Sequence, residues 1–160
     1  MNLEFIPAYE HRDAIRVLFS EYTDMLVKGE PAFAKYLVKQ NYEAEVEHPE
    51  AKYGMPGGRL YLAWCDGALA GCFAIRKIDE EYCEIKRLYV RPAFRGHHIG
   101  NAMLDRIVSD ARSIGYRAIL LDTLPFLKTA IDMYHAYGFY DIPSYNNSPM
   151  ENLLYMRYDL

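Results

Sequence analysis

Arg95-Gly96-His97-His98-Ile99-Gly100 is the stretch of this chain with the clearest chemical meaning. A glycine-bearing turn that opens a helix aims several backbone N–H groups at one spot, and the helix dipole adds partial positive charge there. Arg95 brings a planar cationic fork that matches phosphate oxygens. The chemistry expected is phosphate or pyrophosphate binding over 95–102, with Asn101 and Ala102 starting the helix whose amides point the same way. A plain strand–helix turn would not require an arginine and two glycines in this arrangement. His97 and His98 have an ordinary alternative reading as exposed loop residues. Cys83, beside Glu84, falls on the opposite alternation parity and reads as a buried, inert thiol. The five histidines form no spaced ligand set with cysteines or carboxylates, so no metal is expected.

Elements must place that turn. Glu84 to Val90 reads as a strand, rich in aliphatic and aromatic residues. Asn101 to Ile114 has apolar residues at 103, 104, 107, 108, 111 and 114, which is helical spacing, and Gly115 is a natural stop. The turn therefore lies at the carboxyl end of a strand, where open α/β sheets bind ligands. Leu3 to Pro7 alternates as a first strand. A helix over about 10–28 follows, and Pro31 opens a second running to about Glu45. Residues 46–58 read as a loop, shaped by glycine and proline, that could fold over a substrate as a lid. Arg59 to Trp64 and Leu69 to Ile78 read as strands joined at Asp66-Gly67. Tyr116 to Asp122 is almost continuously apolar, as expected of a central strand. Pro125 begins another helix that Gly138 ends, and Phe139 to Ile142 and Leu153 to Tyr158 close the sheet. The order β-α-α-β-β-β-α-β-α-β-β implies a mixed α/β sheet in one domain spanning 1–160.

Bulk properties exclude several classes. At 160 residues the chain can bury a real core. A net charge of −4 argues against a broad nucleic-acid footprint. No apolar run approaches the roughly 18 residues that span a bilayer, and the N-terminus lacks a signal-peptide pattern. Three cysteines, odd in number and within strand-like runs, read as reduced core thiols of a cytoplasmic protein. The fifteen tyrosines point to a pocket or interface lined by apolar bodies with polar tips.

The segment Glu84-Ile85-Lys86-Arg87-Leu88-Tyr89-Val90-Arg91-Pro92, then Phe94-Arg95-Gly96 and Ile99-Gly100, resembles motif A of the GNAT N-acetyltransferase superfamily. Asp122-Thr123, followed by Ala130, Tyr134 and Gly138-Phe139, resembles the family's second motif. Two motifs in the right order on the right elements are far more specific than a lone Gly-x-Gly. The resemblance covers the C-terminal half well and the first half only in its order of elements. One position departs: the family usually has glycine where this chain has His98, so either the backbone there tolerates a side chain in a conformation that favours glycine or the turn differs locally.

The resemblance implies a mixed, mostly antiparallel sheet flanked by helices, acetyl-CoA as co-substrate, and a primary amine as acceptor, attacking directly in a ternary complex. It places the pyrophosphate on Arg95, Gly96, His97, His98, Ile99, Gly100, Asn101 and Ala102. The pantetheine arm would pair with the edge at Leu88, Tyr89 and Val90, facing Thr123, Ala130 and Tyr134 across an opening between strands. The Leu88 N–H would polarise the thioester carbonyl. Tyr134 matches the family's general acid, with inner-face packing as its ordinary alternative. An ammonium must lose a proton before it attacks, and Glu84 is the candidate base, on the same alternation parity as Lys86 and Leu88. Its ordinary alternative is a carboxylate paired with Lys86, Arg87 or a lysine of another strand. Tyr22, with Phe33, Tyr36 and Tyr42, would wall the acceptor pocket, together with Glu43, Glu45, Glu47 and Glu50; the ordinary alternative is helix-packing aromatics and a solvated charge run. The acceptor is a small molecule or a peptide; no nucleic acid or membrane partner is expected, and the state is monomer or homodimer. The competing class is a non-catalytic acyl-CoA sensor on the same fold.

Overall fold

Period-two and helical patterns resolve into one sheet with helices on both faces. The computed structural model describes residues 1–39, 42–148, 150 and 152–160. β1 (Leu3–Pro7) leads into α1 (Arg12–Gly29), followed by α2 (Phe33–Lys39), α3 (Tyr42–Glu47) and the single turn α4 (Glu50–Tyr53). β2 (Arg59–Cys65), β3 (Ala68–Lys77) and β4 (Tyr82–Val90) form a meander. Then come α5 (Ile99–Ile114), β5 (Ala118–Thr123), α6 (Lys128–Tyr137), β6 (Tyr140–Ile142) and β7 (Leu154–Asp159). Among the described residues the strand order is β1-β2-β3-β4-β5-β7-β6. Only β4 and β5 run parallel; the other pairs are antiparallel. This is the mixed, mostly antiparallel sheet that the resemblance implied.

Each face has its own core. Ile15, Leu18, Phe19 and Leu26 recur at helical spacing on α1 and are buried. Three of them pack with Tyr53, Leu60, Leu62 and Cys72 on one side of the sheet. On the other side Met103, Leu104, Ile107 and Ala111 of α5 meet Phe73, Ile75, Ile85 and Ile119. Burying each large apolar side chain contributes about 1.5–3 kcal/mol, so the layers hold the sheet firmly between them.

Two expectations for the first half need correction. The helix expected over 31–45 is two helices, α2 and α3, and the break between them lies outside the described residues. The segment expected as a lid over 46–58 is anchored instead. Tyr53 is fully buried and donates its hydroxyl to Glu45 at 2.5 Å, while Val46 packs in the core below α1. An aromatic driven into the core fixes this segment against the sheet.

Two irregularities of β4 shape the centre of the sheet. First, Cys72 pairs with Tyr89 and Ala74 with Lys86, so Phe73 opposes both Arg87 and Leu88. This β-bulge holds Arg87 at φ 57, and it bends the strand. Gly71 makes room for it: a Cβ there would lie 2.1 Å from the Tyr89 carbonyl oxygen. Second, β4 pairs with β5 only over Tyr82–Glu84 against Ala118–Leu120. Beyond that, β4 continues along β3 to Val90 and β5 along β7 to Thr123. The two strands part, and among the described residues their facing edges carry no ladder.

Candidate active site

The parting of β4 and β5 opens a cavity of about 500 Å³. Leu88, Tyr89 and Val90 line one wall, and Leu121, Asp122 and Thr123 the other. Ala130 and Tyr134 of α6 and Tyr22 of α1 close it, with Phe33 and Tyr36 further along. The N–H of Arg91 donates to the Ala70 carbonyl, toward β3. Alternation along the strand turns the N–H of Val90 the other way, into the opening.

The glycine turn forms the mouth. Arg95, Gly96, His98, Ile99, Gly100 and Asn101 line it. His97 and Ala102, expected beside them, do not: His97 is exposed and Ala102 sits inside the first helical turn. Ala102 N–H bonds to the His98 carbonyl, the first helical bond of α5. The amides of Ile99, Gly100 and Asn101 thus have no intrahelical acceptor, and among the described residues no side chain caps them. His98 adopts φ 61 and ψ 22, the left-handed conformation. The histidine therefore takes up the geometry that favours glycine, and the local turn is kept. Gly100 is needed for another reason, since a Cβ there would lie 2.6 Å from Met133 Sδ of α6. Arg95 folds across the mouth, donating Nε to the Val90 carbonyl at 2.9 Å with its guanidinium 5.9 Å from the Tyr89 ring.

Tyr134 is 7% exposed, and among the described residues its hydroxyl has no hydrogen-bond partner. Burial, reinforced by Tyr22 and Asp122, pushes its phenol well above the ordinary value. It stays protonated at any physiological pH.

Glu84 does not face this cavity. It is 2% exposed and lines a second one, of about 490 Å³, with Arg76, Lys52, Lys86, Tyr145 and Asn146. Glu84 and Lys86 share a face as expected, but the bulge beyond them turns Leu88 away from it. Leu88 packs with the α5 core, whereas Arg87 turns to the α1–α3 side beside Lys86. Glu84 accepts from Arg76 Nη1 at 3.2 Å, lies 3.6 Å from Lys86 Nζ, and accepts from the Tyr145 hydroxyl. Lys86 and Tyr36 line both cavities. Burial alone would lower the Lys86 pKa, but Asp122 and Glu84 together raise it, so this partition is cationic.

The acidic acceptor wall is also corrected. Glu45 is 3% exposed and forms a bidentate pair with Arg87, Nε–Oε1 2.7 Å and Nη2–Oε2 2.8 Å, with Lys52 Nζ at 3.0 Å. Desolvation opposes its ionisation, yet Arg87, Tyr53 and Lys52 hold it down to about 2. Glu47 pairs with Arg16 at 2.6 Å, and Glu43 and Glu50 are exposed. Tyr42 lies under Arg87, 5.8 Å from ring centre to guanidinium carbon. Tyr42, Glu43, Glu45, Glu47 and Glu50 line neither cavity. Cys72 and Cys83 are buried free thiols, pushed by desolvation to about 12, which makes them poor nucleophiles. No group of three or more His, Cys, Asp and Glu among the described residues is placed to hold a metal.

Sequence reasoning missed Arg76, Tyr145, Asn146 and Asp122 as members of the site. Asn146 Nδ2 donates to Asp122 at 3.1 Å, and the Tyr145 ring packs edge-on against Tyr155. The polar Pro/Asn/Ser link before β7 carried no periodic signal, and only its uncommon Tyr-Asn-Asn content marked it.

The chain is similar to known proteins along its whole length. An uncharacterised N-acetyltransferase of Schizosaccharomyces pombe is 33% identical over 150 residues, covering 92% of this chain and 88% of the relative. An acetyltransferase of Streptococcus agalactiae superposes with a TM-score of 0.79 at 20% identity, covering 99% of this chain and 98% of that one. The PaiA N-acetyltransferase of Thermoplasma acidophilum, solved in complex with coenzyme A, superposes with a TM-score of 0.77 at 15% identity over 100% of both chains. Residues 20–139 match the acetyltransferase (GNAT) family profile. With that match spanning the parted strands, the uncapped helix and Tyr134, the chain belongs to the GNAT acetyltransferase family.

Proposed function

We propose that this chain transfers the acetyl group of acetyl-CoA to a primary amine of a small molecule, with donor and acceptor bound together. One observation carries the reading: a cavity of about 500 Å³ runs from an uncapped helix N-terminus between two unpaired strand edges. Coenzyme A is a diphosphate followed by an amide-bearing arm, and the residues present fit it. The amides of Ile99, Gly100 and Asn101 suit the diphosphate, with Arg95, Gly96 and His98 around it. The edge at Val90 suits the arm as an added strand, across from Thr123 and Ala130.

Bound acetyl-CoA supplies an activated acyl carbon. The Leu88 N–H donates to the carbonyl oxygen as charge builds there. Glu84 takes the proton that the attacking amine loses, directly or through water. The C–N bond forms, the C–S bond breaks, and the sulfur leaves as a thiolate that gains one proton. Tyr134 donates a hydrogen bond to that sulfur. A free thiol has a pKa of about 8.5, so complete transfer from so weak an acid is uphill, and the final proton comes from solvent. Tyr22 closes the acceptor side of the cavity.

The test is thiol release from acetyl-CoA across a panel of amines, beside calorimetry with coenzyme A. Amine-dependent release is expected. Tight coenzyme binding with no amine-stimulated release would favour the sensor reading instead.

A further inference from the structure

We infer that Asp122 anchors the acceptor: its carboxylate receives the arriving ammonium in the first cavity and holds the nitrogen beside the thioester. The inference rests on the N-acetyltransferase reading above.

Register sets the place. Glu84 pairs with Leu120 where β4 and β5 still run together. Two residues further along each strand, past the parting, come Lys86 and Asp122, and both line the opening. Leu121 packs into the α5 core, so alternation sends its neighbour Asp122 to the opposite side of the sheet, toward α1 and Tyr22. The field of this carboxylate reaches Lys86, Tyr22 and Tyr134. Asp122 therefore lies between the phenol assigned to the sulfur and the lysine that separates the first cavity from Glu84.

Its bonding leaves room for a cation. Among the described residues Asp122 is the only acid that lines the first cavity, whereas Glu84 lines the second. Asp122 is half-buried. Its Oδ2 accepts from Asn146 Nδ2 at 3.1 Å. Among the described residues its Oδ1 has no hydrogen-bond partner and the carboxylate forms no ion pair, since Lys86 pairs with Glu84 instead. An ionised carboxylate accepts on both oxygens, and a charged donor makes the stronger bond. A primary ammonium brings three N–H groups. One can stay on Asp122 while the proton bound for Glu84 is lost, directly or through water, and the freed lone pair then attacks the acyl carbon.

The experiment loads the protein with coenzyme A, so that no transfer occurs, and measures by calorimetry the binding of two molecules near neutral pH. One is the amine that the panel above turns over fastest; the other is its alcohol counterpart, with a hydroxyl in place of the amino group. The wild type should bind the amine roughly 10–100-fold more tightly, the range for a hydrogen bond to a charged group. Asp122→Asn and Asp122→Ser should remove most of that preference by weakening the amine, with the alcohol little affected. Calorimetry with coenzyme A alone checks that both variants are folded. An alcohol bound as tightly as the amine by the wild type would overturn the inference, as would a preference that survives both variants. Equal weakening of amine and alcohol would also overturn it, since that is the mark of a structural residue. All three outcomes leave the acetyltransferase reading intact. No turnover of any panel amine, with coenzyme still bound, would remove that reading and the inference with it.

Discussion

Tyr134 is buried with its hydroxyl unpartnered among the described residues, whereas Glu84 is buried with several partners. Lining the cavity, that phenol is placed to donate to a group that is not part of the chain. Tyr134→Phe should therefore lower turnover by about 10–100-fold, the worth of one hydrogen bond to a charged group, while coenzyme affinity by calorimetry is retained. Unchanged turnover would remove Tyr134 from the mechanism. Glu84→Gln keeps an acceptor for Tyr145 and Arg76 but cannot take a proton. A loss of about 100-fold or more in kcat is expected, with coenzyme affinity by calorimetry retained. Wild-type turnover would exclude Glu84 as the base. Tyr134 was legible because its neighbours Ala130 and Gly138-Phe139 fall at recognisable spacing. Glu84 was legible as a carboxylate, but its surroundings were not. Arg76 lies on the adjacent strand and Tyr145 is 61 residues away, and no local pattern encodes such a meeting.

At the scale of elements, the bulge in β4 decides which residues share a cavity. Strict alternation predicts Glu84, Lys86 and Leu88 on one face, and most of the sheet obeys it. The failure at 87–88 was hidden because arginine gives no sign of a positive φ. The nearest clue was Gly71, on a different strand. Gly71→Ala would drive a methyl against the Tyr89 carbonyl. The bulge would have to shift, costing about 1–3 kcal/mol, and the Leu88 N–H would lose its aim. Urea unfolding should show the first effect and kcat the second. A variant with wild-type stability and turnover would show that the bulge is not held by this contact. The helices and strands of the second half were legible because each repeats its apolar period for long enough to be counted. The 46–58 segment misled because its glycines and prolines signal turns but not the burial of Tyr53 that pins them.

For the molecule as a whole, the Glu45–Arg87 pair ties the first half to the centre of the sheet. Glu45 is held at about 2, against 4.5 for a free carboxyl. A depressed folded-state value contributes stability that is present above about pH 4.5 and is lost as pH falls toward 2. Two and a half pH units correspond to roughly 3 kcal/mol at most. Glu45→Gln should destabilise the protein at pH 7 by about 3–5 kcal/mol, since the variant breaks the buried, bidentate pair with Arg87. The variant should also lose stability less steeply between pH 4.5 and 2 than the wild type. Parallel acid profiles in denaturant titrations would refute this role. The overall architecture was readable because element order and two motifs constrain it. This long-range staple was not, because a charged helix residue looks solvent-facing until the sheet that receives it is known.

The bulge makes neighbours of two side chains that an even strand would send apart. Arg87 bolts α3 in place, and Lys86, one peptide unit away, stands between the two chambers. A change in α3 therefore reaches the dividing wall without touching either space. Laboratory evolution toward a new acceptor should gather tuning mutations at 42–47, far from any bound molecule, as readily as in the chambers themselves.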